Sequence, residues 1–479
     1  MYADNGEVAK AERFLSSFLT GTPIHQFPPH FLLFPCLGPP TERQRHLHMK
    51  SHLKATPPHY IPTSSLAVLH SYEAQSHPAP MTTYTLLITA LFSLPSSVAR
   101  AQAWDLFTHM RYVAHPNPDA LLYTLMIRAC ASPISSRASD PERALDLWTE
   151  MTIDHKIMPT VGSYSAIILA CARSGSKMYV NEAFRLAKEM LDSHRDAKGR
   201  SAFSPDGRTF CALLEGAKRV GDLARARWIL AEMVRGSRGD QNDNGVTDAE
   251  VTEEVMMHVF HAYAAYRPPF KRTDALLRNE NPDAARQSEL LQLALPSDPE
   301  STEPVGGLPV EETQPTFTHI PPQSRSEVIA EAKALFNRIL DDTGANVQDP
   351  SEDTIAYGDK KFKNVRLSPR LLNSYLSVYY KHSSLEVSRD LFGRIFEDLG
   401  VRRNARSYVE VLERCGTSRR GHERVLALKF AEEVWTKWQA LEDAAQDGED
   451  RVTARMVERA HVAIIRVWTL YALASSFSS

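Results

Sequence analysis

Small and apolar residues recur along this chain three and four positions apart, and one short arrangement of them keeps returning. It reads AWDLFTHM at Ala103–Met110, ALDLWTEM at Ala144–Met151, AFRLAKEM at Ala183–Met190 and ARWILAEM at Ala226–Met233. It reads AKALFNRI at Ala332–Ile339 and SRDLFGRI at Ser388–Ile395. Such spacing puts the apolar side chains on one stripe of a helix. A helix this short cannot bury that stripe alone, so the copies must pack against neighbours. About 19 residues upstream of the copies lies a second apolar segment, which completes a helical hairpin of repeat length. Its core is an aromatic followed three and four residues later by aliphatics: Tyr84 with Leu87 and Ile88, Tyr123 with Met126 and Ile127, Tyr164 with Ile167 and Ile168, Phe210 with Leu213 and Leu214, Tyr408 with Val411 and Leu412. These three positions share a helix face. Seven residues after the aromatic comes Leu91, Cys130, Cys171, Ala217 or Cys415.

Turn residues separate the pieces. Pro118-Asp119, Pro159-Thr160 and Pro205-Asp206 each stand just before a first helix. Proline pushes the residue before it out of helical geometry, and Asp or Thr caps the helix that follows. Gly221-Asp222 marks a stop between paired helices. The pattern predicts an all-α chain of stacked αα-hairpins.

In combination these elements resemble the pentatricopeptide repeat family, whose pattern runs aromatic, aliphatic pair, Ala-x-x-Leu-Phe-x-x-Met and Pro-Asp in order. The tetratricopeptide repeat is the main rival, but its first-helix tryptophan and Leu-Gly pattern is absent. The resemblance covers most of residues 81–265 and returns over about 326–440. The aromatics Tyr84, Tyr123, Tyr164 and Phe210 stand about 39, 41 and 46 residues apart, longer than the family period, with the excess in loops such as Ser132–Asp140 and His194–Ser204. A fifth repeat is split, with Val255–Tyr266 as first helix and Ser326–Leu340 as second. The implied architecture is a right-handed superhelical solenoid of αα-hairpin repeats interrupted by a disordered loop, its first helices lining an extended concave groove.

The resulting organisation runs as follows: residues 1–19 a partial repeat, 20–62 an irregular segment rich in Pro and His, and 63–266 repeats. Then come 267–325 as an acidic, Pro-rich insertion read as disordered, 326–440 as repeats again, and 441–479 as a terminal helix or partial repeat. Met1–Leu15 reads as the end of a first helix, an Asn-Gly turn and a second helix, which points to a truncated N-terminus; an ordinary capping helix is the other reading. The stripe of Val452–Ala474 includes Val457, Ile464, Ile465 and Trp468, but Arg455, Arg459 and Arg466 break it too often for a membrane span.

Net charge is −3, which does not by itself advertise nucleic acid, yet residues 81–238 sum to roughly +5 and the 268–325 loop is acidic. The cysteines show no CxxC, and Cys130, Cys171 and Cys415 share one register, which predicts packing and no disulfide or metal role. Walker, GxGxxG and HExxH motifs are absent. His46, His48, His52 and His59 read as solvated loop histidines, with no metal and no cofactor expected. With no catalytic constellation in view, an enzyme is not expected.

The resemblance implies that the residue after the aromatic and the last residue of the repeat contact a base of single-stranded RNA. Here these are Thr85 with Asp119, Thr124 with Thr160, Ser165 with Asp206 and, more loosely, Asn373 with Asn404, because Leu372 replaces the aromatic. Ser or Thr with Asp resembles a purine-reading pair favouring guanine; Asn with Asn resembles a pyrimidine-reading pair. The competing role for Asp119, Thr160 and Asp206 is helix capping. Cys211 and Val409 occupy the reading register without a useful polar group. Nine residues after the aromatic position come Arg173, Arg219 and Lys381, available to phosphate or to the helix dipole. The expected role is a mitochondrial RNA-binding protein acting in RNA processing, stability, splicing or translation. The alternatives are a protein-interaction scaffold on the mitochondrial ribosome or another assembly and, more weakly, an RNA-processing nuclease subunit. Localisation comes from the family alone, since Met1–Lys10 carries Asp4 and Glu7 and does not resemble a presequence.

Overall fold

The computed structural model describes residues 2–20, 39–132, 139–193, 201, 203–236, 250–269, 321–344, 360–418, 421–446 and 452–476. The expected disordered insertion and the two long loops lie largely outside these residues. The regular elements among the described residues are helices, and these residues form no β-sheet. The chain divides into two compact units that change over at Gly216–Ala217, and each is described by itself.

In the N-terminal unit, α1 (Tyr2–Asn5) and α2 (Val8–Thr20) are joined at Gly6. The hairpins that follow are α3 (Glu42–Ala55) with α4 (Thr63–Ala74), α5 (Met81–Ser93) with α6 (Ser97–Val113), α7 (Ala120–Cys130) with α8 (Pro141–Thr149), and α9 (Val161–Ala172) with α10 (Lys177–Asp192). A π-helical turn, Glu150–Asp154, extends α8. Helix α11 (Gly207–Val220) follows, and its residues through Gly216 belong to this unit. First helices pack on first helices, as α3 on α5, α5 on α7 and α7 on α9, while each also packs on its own second helix.

The sequence pattern explains this packing. Tyr84, Leu87 and Ile88 are at most 1% exposed, as are Tyr123, Met126 and Ile127; Tyr164, Ile167 and Ile168 are at most 2% exposed. On the second helices Ala103, Leu106, Phe107 and Met110 are buried, as are Ala144, Leu147, Trp148 and Met151. Burying one such side chain contributes roughly 1.5–3 kcal/mol, so each hairpin is stabilised mainly by its neighbours. The buried tyrosines keep a bonded polar tip, Tyr123 donating to Glu150 at 2.8 Å and Tyr84 to Glu73.

Segment 20–62 departs from expectation, because residues 42–55 form the regular helix α3. Thr41 and Gln44 close a capping box at its start. Its His46, His48 and His52 are therefore helix residues, half-buried or buried, and not loop residues; only His59 is exposed in a turn.

In the C-terminal unit α12 is Leu223–Gly236 and α13 is Glu253–Ala265. Gly221 precedes α12 at φ +70°, and a Cβ there would stand 3.1 Å from the Ala265 carbonyl oxygen, so glycine is required twice over. Helix α14 (Arg325–Thr343) touches α13, and both pack on α15 (Pro369–His382). Phe336 of α14 stacks on Tyr375 of α15 at 4.1 Å, and Phe260 of α13 meets the same ring edge-on at 5.4 Å. Arg227 and Glu331, with side chains 8% and 17% exposed, pair at 2.9 Å and tie α12 to α14. Then come α16 (Leu385–Asp398), α17 (Ala405–Cys415), α18 (His422–Gln446) and α19 (Ala454–Ser476). On α19 the buried stripe is Ala460, Ala463, Ile464 and Val467, whereas the expected Ile465 and Trp468 are 53% and 44% exposed.

Candidate functional site

The first helices share a register that starts from the N-cap. Counting helical residues from N1, the buried aromatic is N4, the reading candidate is N5 and the small packing residue is N11. Cys130, Cys171 and Cys415 are the N11 residues of α7, α9 and α17, all buried. Burial pushes each thiol up to about 12, which keeps it protonated and unreactive. The N11 row is packing, as the sequence pattern predicts.

The candidate end-of-repeat residues cap helices. Asp119 accepts from the Leu122 amide at 2.8 Å, and Thr160 accepts from the Ser163 amide at 3.1 Å. Asp206 accepts from the Thr209 amide at 2.8 Å, and Asn404 from the Ser407 amide at 3.0 Å. Capping alone accounts for one acceptor position on each and about 1 kcal/mol of stability. It leaves Asp119, Thr160 and Asp206 exposed at the helix starts.

The reading candidates join these caps across the helix row. Thr124 Oγ1 lies 2.6 Å from Ser163 Oγ, which lies 2.9 Å from Thr160 Oγ1. Ser165 Oγ lies 2.8 Å from Thr209 Oγ1, which donates to Asp206 Oδ1 at 2.8 Å. Asn373 Nδ2 donates to Asn404 Oδ1 at 3.2 Å. Three of the four expected pairs are thus brought together, two through a buried hydroxyl at N3 and one directly. The fourth is not: Thr85 bonds its own helix, Oγ1 to the Met81 carbonyl at 3.1 Å, and the N3 residue between it and Asp119 is Leu122. A side chain without a hydroxyl cannot continue the chain of bonds.

Proton counting sets what each pair can offer a ligand. In the Thr124 chain one hydroxyl hydrogen serves each step, from Thr160 to Ser163 to Thr124 to the Ala120 carbonyl at 2.6 Å. What remains is lone pairs. In the Ser165 chain the charge-assisted bond to Asp206 takes the Thr209 hydrogen, and the single Ser165 hydrogen is shared between two acceptors, Thr209 Oγ1 at 2.8 Å and the Val161 carbonyl at 2.9 Å. Lone pairs of Ser165 and the second Asp206 oxygen remain. The Asn pair differs. Asn404 Oδ1 already accepts from the Ser407 amide and hydroxyl, both at 3.0 Å, so its own amide hydrogens stay free to donate. Asn373 keeps its carbonyl oxygen as acceptor.

One member of this row was not legible in the register: His46, the N5 residue of α3, whose Nδ1 lies 2.9 Å from Thr83 Oγ1 at N3 of α5. Burial, helped by Lys50, lowers its pKa and favours the neutral ring. The Thr41-x-x-Gln44 capping signature was the signal that would have placed it.

Of the phosphate candidates, Arg173 is engaged within its own unit. Its Nη1 donates to Ser132 Oγ at 2.7 Å and to the Ala131 carbonyl at 3.3 Å, satisfying the end of α7. Arg219 and Lys381 are exposed.

No protein-family model matches the chain. A pentatricopeptide repeat-containing protein of Arabidopsis thaliana is 26% identical over 152 residues, which is 32% of this chain and 17% of that protein. The match therefore spans well under two thirds of the relative's length. Among solved structures the chain is similar to the pentatricopeptide repeat protein PPR10 from maize at 14% identity, covering 99% of this chain and 60% of that one with a TM-score of 0.29. PPR10 in complex with an 18-nt psaJ RNA element aligns at 12% identity over 98% of this chain and 56% of that one, with a TM-score of 0.28.

Proposed function

We propose that this pentatricopeptide repeat protein binds single-stranded RNA along its first helices, one base against each N5 residue and the following N-cap, and acts on mitochondrial transcripts. The observation that carries this reading is the in-register row itself. Thr124, Ser165 and Asn373 sit one position past a buried N4 residue, and each is hydrogen-bonded toward the next helix start. Purely structural caps need no such partner one hairpin back.

The proton inventory suggests what is read. The Thr124–Thr160 and Ser165–Asp206 pairs offer acceptors, which suit the donor-rich edge of guanine. The Asn373–Asn404 pair offers a donor and an acceptor together, which suits a pyrimidine edge. Arg219 and Lys381 would approach phosphate, while Arg173 belongs to the scaffold. Processing, stability, splicing and translation all follow from one mechanism, in which occupying the strand blocks a nuclease or keeps a site unpaired.

Crosslinking the full chain in cells and sequencing the attached RNA tests the reading. Enrichment of a mitochondrial transcript supports it, and binding of that RNA by the purified chain should weaken steeply with salt. Absence of any enriched transcript transfers the molecule to the scaffold class, whose apolar contacts are insensitive to salt.

A further inference from the structure

Helices α2 and α3 bring together three side chains that play no part in the polar row. His48 and His52 stand one turn apart on α3, with their Nε2 atoms facing each other at 3.2 Å. Glu12 of α2 closes the group, its Oε1 3.4 Å from His52 Nε2 and 3.9 Å from His48 Nε2. The rings meet edge-on at 4.9 Å between centroids. Both imidazoles are withdrawn from solvent, with side chains 14% and 11% exposed, while Glu12 is 53% exposed.

The two facing nitrogens fit together in one of two ways: one neutral ring donates its Nε2–H to the other, or both turn lone pairs to a shared cation. A divalent cation takes neutral imidazoles and an ionised carboxylate as ligands, so it engages Glu12 together with both rings.

The distances fit such an ion. A tetrahedral centre with bonds of about 2.0–2.1 Å has its ligand atoms about 3.3–3.4 Å apart. Two of the three edges of the cluster already match, and the third closes with a small rotation of the half-exposed Glu12 side chain. His48 is also oriented from behind, its Nδ1 lying 2.8 Å from the hydroxyl of buried Tyr72 on α4. A hydrogen bond from Nδ1–H to that oxygen leaves Nε2 bare, the arrangement by which metal-binding histidines are held.

A second group, His70, Glu73 and His109, makes a useful contrast. There both rings address one oxygen of Glu73, at 3.0 and 2.8 Å, and Tyr84 takes the other. That carboxylate is satisfied by hydrogen bonds, and its nitrogens converge on it and not on a common empty point.

We propose that Glu12, His48 and His52 bind one borderline divalent ion, best Zn2+, that clasps α2 to α3 and leaves a fourth position to water. Two imidazoles and one carboxylate favour Zn2+ over Ca2+ or Mg2+, which prefer oxygen shells.

The test uses the full chain stripped with chelator and then dialysed against Zn2+, or titrated with Co2+ as a spectroscopic probe. Expected for the wild type are a Zn2+-dependent rise in melting temperature and the visible absorption of tetrahedral Co2+. His52→Gln should hold one equivalent of Zn2+ fewer and lose the absorption; Glu12→Gln should bind at least tenfold more weakly. His109→Gln should match the wild type. Circular dichroism of the metal-free variants checks folding, and if His52→Gln does not fold, Glu12→Gln at its half-exposed position decides the matter. The proposal is overturned if the wild type binds neither ion, if Glu12→Gln and His52→Gln bind as the wild type does, or if the signal follows His109 instead.

Discussion

The α9–α11 junction and the α15–α17 junction use the same register and end in different chemistry. In the first, Ser165 reaches Asp206 through Thr209, and what remains outward is lone pairs. In the second, Asn373 reaches Asn404 with nothing between, and the amide hydrogens of Asn404 are not used by the cap. The backbone problem solved is identical, namely capping the next first helix. The difference teaches that the cap's spare hydrogen-bonding capacity, and not its presence, is what can distinguish one position from another.

The amide junction is the more brittle, and removing Asn404 should show it most strongly. Asn373 is 3% exposed and depends on Asn404 for a partner. Asn404→Ala therefore loses a cap and strands a buried amide, with an expected cost of about 2–4 kcal/mol in urea unfolding. A cost near 1 kcal/mol would mean that the Asn–Asn bond contributes nothing.

Converting one junction into the other is the next largest effect. Asn404→Asp keeps the cap and removes the amide donor, so RNA selected by the variant should change at the base facing Asn373. The expected shift is about tenfold, or about 1.4 kcal/mol, read by selection from a random pool. An unchanged selection would detach this pair from base reading.

Thr160→Ala should cost about 1 kcal/mol, the value of a cap alone, because Ser163 retains Thr124 as partner. Thr124→Val should cost about 0.5 kcal/mol or less in stability, since Ser163 keeps Thr160, yet lower RNA affinity about fivefold. If stability fell more than affinity, the hydroxyl chain would be structural.

The second helices were legible in the sequence because Ala, Leu, aromatic and Met at fixed spacing have few uses other than packing, and Ala103, Leu106, Phe107 and Met110 occupy that face as expected. The caps were legible for a similar reason, since Pro-Asp and Pro-Thr are strong local signals. Helix α3 was not, because its buried positions include Ser51 and His52 where hairpins elsewhere carry aliphatics. On α19 the alanines Ala460 and Ala463 reach the core, displacing Ile465 and Trp468 outward. A hydropathy stripe weights large side chains and misses a face made of small ones. Ser163 and Thr209 escaped as well, since their partners Thr124 and Ser165 lie 39 and 44 residues away and no local pattern encodes them.

The interruption at Leu122 has a consequence for engineering. Where N3 carries a hydroxyl, the residue that would be reprogrammed belongs to one repeat and its hydrogen-bonding context to the next. A graft cut at conventional repeat borders would import the side chain and leave behind the atoms that orient its proton. The exchangeable cassette runs instead from the N5 residue of one first helix through the N3 residue of the following one, and Thr85, with no hydroxyl chain to Asp119, is the position where an ordinary single-repeat exchange should transfer cleanly.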